Sequence, residues 1–333
     1  MSNDIFKNKT VLITGGTGSF GRKFTEIVLK GFNPKKLIIL SRDEYKQHQM
    51  NRVFPSDKYP IRYFLGDVRD RNRLNRAFEG VNYVIHAAAL KQVPALEYNP
   101  TEAVKTNVVG ADNVVDAAID AGVEKVIAVS TDKAVSPINL YGASKLVAEK
   151  IFIAANAYCG EKVKFSVVRY GNVVGSRGSV VPLFINLKKA GEKTFPITDE
   201  RMTRFWITLE QGVNFVIKAM EHAEGGEVFV PRIPSMKIVE LARAIEPSCK
   251  FKIIGIRPGE KVHESLISED ESSNVKIFDG IYAIIPQFFE NVYVHKKYIN
   301  CASVPDGFVY RSDKNDEWLT TKQLQDMVKE SEA

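Results

Sequence analysis

The run Thr10-Val-Leu-Ile-Thr14, followed at once by Gly15-Gly-Thr-Gly-Ser-Phe-Gly21, constrains this chain more than any other stretch. A short apolar strand here meets a glycine-rich turn, and a helical stretch follows to about Lys30. The glycines fit GxGxxG counted from Gly16 or GxxGxxG counted from Gly15. Either spacing serves one physical need: a tight turn, close approach of the backbone to a pyrophosphate, and close helix–strand packing, with the diphosphate over a helix N-terminus. Alone the motif is weak, but its place between a strand and a helix gives it meaning. Gly15, Gly18 and Gly21, with Thr17, Ser19 and Phe20 between them, are therefore candidate dinucleotide contacts.

The first half of the chain repeats that alternation. Thr10–Thr14, Lys36–Leu40, Ile61–Leu65, Tyr83–His86, Lys125–Val129 and Phe165–Arg169 read as short, buried, β-branched strands separated by helical stretches. Such a pattern predicts right-handed βαβ units and a doubly wound, Rossmann-type parallel sheet, an α/β fold. A helix over Pro100–Ala121 opens with Asn99-Pro100-Thr101, a start signal with proline at the first helical position. After about Ser176 glycine and proline become frequent. The expected organisation is a dinucleotide-binding domain over 1–175 and a smaller, interleaved substrate lobe over 176–333. A helix near Leu209–His222 and a strand at Glu227–Val230 should rejoin the sheet. The apolar stretch Ile281–Val294 fits either core or interface.

A chain of 333 residues suggests roughly two domains. With 44% hydrophobic and 26% charged residues it belongs among ordinary globular proteins. Its 46 Lys and Arg against 40 Asp and Glu are dispersed, without a basic run or a recognition motif, so nucleic acid is not an expected partner. The mild positive field suits an anionic small molecule instead. Cys159, Cys249 and Cys301 are far apart and the five histidines show no ligand spacing, which argues for reduced thiols in the cytoplasm and against a metal site. No apolar run approaches the ~20 residues that span a bilayer, so no membrane association is expected.

The second strand ends Leu40-Ser41-Arg42-Asp43. An NAD site usually puts an acidic side chain at this strand end to bind the ribose 2′-hydroxyl. Here Ser41 and Arg42 come first, and Arg42, helped by Lys46, suits the 2′-phosphate of NADP. The alternative leaves Arg42 solvated and gives Asp43 the ribose. Asp67 and Val68, past the third strand, are placed for the adenine edge, and Ala87, Ala88 and Ala89 for close passage of the cofactor.

The fifth strand runs into Ser130-Thr131-Asp132-Lys133, and Tyr141 and Lys145 follow four residues apart on one helix face. A free tyrosine has a pKa of about 10, so a base near neutrality needs a shift of ~3 units, or ~4 kcal/mol of phenolate stabilisation. Lys145 and an oxidised nicotinamide supply two positive charges for it. Thr131 or Ser130 donates a hydrogen bond to the reacting oxygen.

Taken together, the glycine loop, the strand-end Ser-Thr and Tyr141-x-x-x-Lys145 resemble the extended short-chain dehydrogenases/reductases over essentially the whole chain. Ser130-Thr-Asp-Lys-Ala-Val135, Asn139-Leu-Tyr-Gly-Ala-Ser-Lys145 and Arg257-Pro-Gly-Glu-Lys261 further resemble the inverting UDP-N-acetylglucosamine 4,6-dehydratases, notably those of pseudaminic-acid synthesis for flagellin glycosylation. Hexose 4,6-dehydratases that retain C5 carry Asp-Glu where this chain has Asp132-Lys133. Membrane-bound retaining relatives carry methionine at the Tyr141 position and an N-terminal membrane region.

The resemblance implies a UDP-sugar substrate and a homo-oligomer, dimeric or higher. It also implies the chemistry: the C4 hydroxyl loses its proton to Tyr141 and its hydride to NADP+. The resulting ketone acidifies C5–H, water leaves from C6, and the hydride returns to C6. Asp132 is expected to act as the acid for loss of water. Lys133 is expected to be the C5 base and reprotonating group, with a pKa depressed by Lys145 and the cofactor charge. Lys91, Asn172 and the Val173–Val181 loop are expected to face the substrate, with Arg204 and Arg257 on the diphosphate and Glu260 on the ribose. A nucleotide-sugar 4-epimerase, a keto-sugar reductase or a capsule-pathway dehydratase/epimerase uses the same Thr131, Tyr141 and Lys145. The first two have no evident use for Asp132-Lys133. A catalytically dead NADP-sensing protein should have lost part of the set, which is complete here.

Overall fold

The computed structural model describes residues 4–175, 180–286 and 296–332. Strands β1 (Thr10–Thr14), β2 (Lys36–Ser41), β3 (Ile61–Leu65), β4 (Tyr83–His86), β5 (Lys125–Val129) and β6 (Lys164–Val168) pair in parallel in the order 3-2-1-4-5-6. Val11 lies opposite Leu37 on one side and Tyr83 on the other, so β1 is an interior strand of the sheet and wholly buried. Burial on both faces explains why β1, β2, β4, β5 and β6 read as continuous apolar runs. Strand β3, expected to be buried, is instead the edge strand, and only Ile61 in it is buried.

Helices α1 (Ser19–Gly31), α2 (Glu44–Val53) and α3 (Arg71–Phe78) return the chain between strands. The expected helix Pro100–Ala121 follows the short α4 (Val93–Tyr98) and is one helical run with a fault in it. It comprises α5 (Pro100–Ala103), a π-helical turn over Val104–Val109, and α6 (Gly110–Ala121). Helix α7 (Leu140–Ala155) lies between β5 and β6.

Beyond β7 (Asn172–Val173) come α8 (Val180–Lys189), β8 (Thr194–Ile197) and β9 (Thr203–Ile207). Next are α9 (Leu209–His222), β10 (Val228–Val230), β11 (Ser235–Lys237), α10 (Ile238–Ile245) and β12 (Lys250–Ile253). The chain ends with β13 (Ser265–Ile267), β14 (Val275–Phe278), β15 (Ile281–Ile284), β16 (Ala302–Ser303), β17 (Tyr310–Arg311) and α11 (Thr321–Glu332). Strand β10 pairs in parallel with β6, as its pattern suggests, and β15, β14 and β16 extend the sheet antiparallel. Ile281–Ile284 is thus core, while residues 287–294 of that apolar stretch lie outside the described residues. Separate short sheets, β11-β9-β7 and β12-β8, surround a second apolar cluster built on Phe184, Phe195, Trp206, Met236 and Leu241.

A buried ionic knot joins the later chain to the sheet. Arg169, just past β6 and 2% exposed, donates to Glu149 on α7, to the Leu266 carbonyl on β13 and to Glu271. Removing one partner of such a buried pair leaves an uncompensated charge. Arg169→Met, which keeps the apolar stem, should therefore lose about 3–5 kcal/mol of stability. A urea unfolding curve superimposable on that of the unmodified protein would contradict this.

Candidate active site

The carboxyl ends of the parallel strands open on one cavity of about 650 Å³. Every residue picked from the sequence for cofactor or catalysis lines it, together with Lys91, Asn172 and Val173. Residues 176–179 of the Val173–Val181 loop lie outside the described residues. Arg22, Gln92, Thr106 and Tyr170 line the cavity as well, and no spacing rule had singled them out.

The glycine turn fits a dinucleotide diphosphate. A Cβ on Gly15 (φ +66°) would stand 2.9 Å from the Ala88 backbone, and one on Gly21 would stand 2.3 Å from the Gly16 carbonyl. Helices α2, α3, α7 and α9 have side-chain N-caps from Asp43, Asp70, Asn139 and Thr208, whereas α1 has none. Its first amides are left for an anion. Thr106 Oγ1 and Asn172 Oδ1 are buried on the cavity wall without a hydrogen-bond partner among the described residues.

At the β2 end, Asp43 is turned into its own helix. Its carboxylate accepts from the Lys46 amide at 2.9 Å and pairs with Lys46 Nζ at 2.7 Å, and those bonds hold its pKa down. Lys46 is therefore tied to Asp43 instead of reaching alone for a phosphate. Ser41 is bonded to Thr17 (2.8 Å), while Arg42 stays half exposed, 3.6 Å from Asp67. Partial burial pushes Asp67 up, but Arg69, bonded at 2.7 Å, holds its carboxyl below the usual range.

The catalytic group is set by one contact. A Cβ on Gly142 would lie 2.0 Å from the Lys133 carbonyl, so α7 packs directly on the single 3₁₀ turn Asp132–Ala134. Asn139 caps α7 through the Gly142 amide and reaches the Gly259 carbonyl with its Nδ2. Lys145, 4% exposed, donates to the Val129 carbonyl at 2.8 Å. Burial brings it down to about 8, against the pull of Glu149. Burial raises Tyr141, while Lys133 and a hydrogen bond with Thr131 pull it back. Lys133 is thus one cation that favours the phenolate, a part for which the sequence had pointed to Lys145.

Ser130 is not available to a substrate, because its hydroxyl donates to buried Glu149 at 2.5 Å. Thr131 donates to Asp132 Oδ1 at 2.8 Å, and Lys133 Nζ reaches the same oxygen at 3.0 Å. Asp132 is 1% exposed and its Oδ2 has no partner among the described residues. The expected depression of Lys133 is reversed. Burial lowers it, but Asp132 and Glu264, the latter 3.5 Å away, prevail and hold it above the ordinary lysine range.

Three substrate candidates fall elsewhere. Arg204, 7% exposed, gives its guanidinium to the carbonyls of Thr203, Lys261 and Val262, so it is a clamp within the protein. Arg257 and Glu260 form a turn outside the cavity, 3.8 Å apart, with Glu260 Oε2 buried and unpartnered among the described residues. Two residues went unread. Glu264 lies in the charge-dense run Glu260–Glu264. Asn107, in the π-helical turn, bonds both backbone groups of Leu90 and the Ser144 hydroxyl. A buried asparagine in an apolar helix carries no signal in sequence periodicity.

The fold and the Thr131, Tyr141 and Lys145 constellation define a short-chain dehydrogenase/reductase. A family model described as polysaccharide biosynthesis protein matches residues 11–286, and the chain belongs to that family. The inverting UDP-N-acetylglucosamine 4,6-dehydratase of Campylobacter jejuni subsp. jejuni is 53% identical over 335 residues, covering 99% of this chain and 100% of that protein. A UDP-glucose 4-epimerase of Rickettsia akari is 46% identical over 289 residues, 84% of each chain. Pen from Bacillus thuringiensis, a crystal structure, superposes with a TM-score of 0.88 at 37% identity, covering 98% of this chain and 99% of that one.

The buried Lys145 has a stability consequence. The folded chain releases its proton near pH 8, whereas an unfolded lysine keeps it to about 10.4. Below about pH 8 both states are charged and burial costs on the order of 3 kcal/mol. Between those values the unfolded chain binds the extra proton, so stability rises with pH. Lys145→Met should remove that rise. Urea unfolding of both proteins at about pH 7 and about pH 9.5 measures it, and parallel pH dependences would contradict it.

Proposed function

We propose that this chain is an inverting UDP-N-acetylglucosamine 4,6-dehydratase that uses NADP+ as a recycled internal oxidant. The observation that carries the reading is the ion pair of buried Asp132 with part-buried Lys133, joined through Thr131 to Tyr141. An epimerase or simple reductase needs Thr131, Tyr141 and Lys145 but no second acid–base pair. NADP+, which the Gly15–Gly21 turn and Arg42 would hold, would supply reversible acceptance of a hydride. The remaining steps belong to side chains.

Tyr141 accepts the C4 hydroxyl proton, with Lys133 and Lys145 favouring the phenolate. Lys133 rests protonated, so it becomes a base by passing a proton 3.0 Å to Asp132. That single transfer makes both catalysts: a neutral amine for C5 and a carboxylic acid for the leaving group. The C5–H bond then breaks, its proton going to Lys133 and its electrons into the C5–C6 bond. The C6–O bond breaks, and oxygen leaves as water with the Asp132 proton. Lys91 and Asn172, which line the cavity, would take the sugar and nucleotide. The lobe after residue 175 completes the substrate site.

The half-exposed Arg42 and the self-capped Asp43 favour NADP over NAD. Among the described residues no helix is long and apolar enough to cross a membrane, and all three cysteines are free. These features support a cytoplasmic site of action. A homo-oligomer, and a product feeding pseudaminic-acid synthesis for flagellin, complete the reading on family grounds. The Rickettsia akari relative keeps 4-epimerisation as a second reading.

Incubation of the purified protein with UDP-N-acetylglucosamine and no added reductant should give a 4-keto-6-deoxy sugar inverted at C5, read by product NMR. Retention at C5 would overturn the role of Lys133, and UDP-N-acetylgalactosamine as product would establish the epimerase. Arg42→Ala should cut the preference for NADP+ over NAD+ by about tenfold, the loss of ~1.4 kcal/mol from one charge-assisted contact. Equal dissociation constants for the two cofactors in the unmodified protein would refute the NADP assignment.

A further inference from the structure

We propose that Glu264 is a positioning residue for the dehydration, the carboxylate that holds the Lys133 ammonium whenever Asp132 is protonated. The proposal rests on the acid–base roles given above to Asp132 and Lys133. Lys133 Nζ lies 3.0 Å from Asp132 Oδ1 and 3.5 Å from Glu264 Oε1, while the two carboxylates are 1% and 2% exposed. Each has one buried oxygen with no partner among the described residues.

Proton accounting gives the two carboxylates different duties. Once Lys133 has passed its proton to Asp132 and taken the C5 proton, Asp132 is neutral and the amine is again an ammonium. Until the C6 oxygen leaves with the Asp132 proton, Glu264 is the carboxylate left in contact with that charge. Without it, the part-buried ammonium would have no carboxylate in contact, which disfavours taking the C5 proton.

The structure keeps Glu264 in place from several sides. Its amide donates to the Ser312 hydroxyl, its carbonyl accepts from the Ser312 amide, and Arg204 Nε lies 3.9 Å from its carboxylate. The charged and titratable groups facing Lys133 are Asp132 on its own turn, Glu264 ahead of β13, Arg204 on β9, Lys261, Lys91 after β4, and Tyr141 on α7. Asp132 and Glu264 outweigh the cations among them, in keeping with the raised Lys133.

Lysine-¹³C labelling of the whole protein, with Lys133 assigned through Lys133→Arg, allows direct titration without substrate. In the unaltered chain the Lys133 signal should show no deprotonation below about pH 10. Deprotonation below that value overturns the proposal and requires no variant. Glu264→Gln should lower the midpoint by about 1–3 units, and Glu264→Asp, which keeps the charge, should leave it near the original. In turnover, the alkaline-side limb of kcat should move down by the same amount in Glu264→Gln with KM little changed. An unmoved midpoint, or a limb that stays put while the midpoint moves, sinks the proposal. Because the titration uses no sugar, a protein that does not act on UDP-N-acetylglucosamine would still report on Glu264, so failure of the two readings is separable.

Discussion

The contact between Gly142 and the Lys133 carbonyl is the constraint on which the site depends. With no side chain at 142, the helix carrying Tyr141 and Lys145 rests on the backbone of the turn carrying Asp132 and Lys133. A methyl group there would stand 2.0 Å from a carbonyl oxygen, so the helix would have to lift away. The phenol would then lose its registration with Thr131 and with the ion pair. A chemistry that passes protons over about 3 Å tolerates little of that displacement.

Around this contact the protein concentrates buried charge. Ser130, Glu149, Arg169 and Glu271 form one knot behind β5, and Asp132, Lys133, Arg204 and Glu264 form another in front of it. Such groups are weak contributors to net stability, because desolvation offsets much of their attraction. Their value is geometric: each holds a strand end, a helix and a late segment of the chain in one arrangement. Neighbouring residues 130 and 131 divide the labour, Ser130 facing the rear knot and Thr131 the catalytic one.

Much of this was legible in sequence because period and spacing carry it. The parallel strands are apolar runs, the nucleotide turn is a glycine pattern, and Tyr141 and Lys145 share a helix face. Those cues are local. The reversed Lys133 protonation was not legible in full, since beside the adjacent Asp132 it draws on Glu264, which arrives from 131 residues further along the chain. Arg204 misled for the same reason: an arginine in a strand looks like a ligand-binding side chain until three carbonyls are found around it. The π-helical turn disguised itself as ordinary helix, because Asn107 breaks no periodic rule.

The capping of α7 by a distant turn bears on how the protein is made. Asn139 reaches the Gly259 carbonyl, and Lys261 reaches that of Val135. On the ribosome, a chain emerging as far as α7 has its glycine turn and its tyrosine but none of these later partners. The turn that holds the start of this helix leaves the ribosome about 120 residues afterwards, at synthesis rates of ≈ 5–20 residues per second. The helix that carries the tyrosine thus waits several seconds for the turn that fastens its first residues.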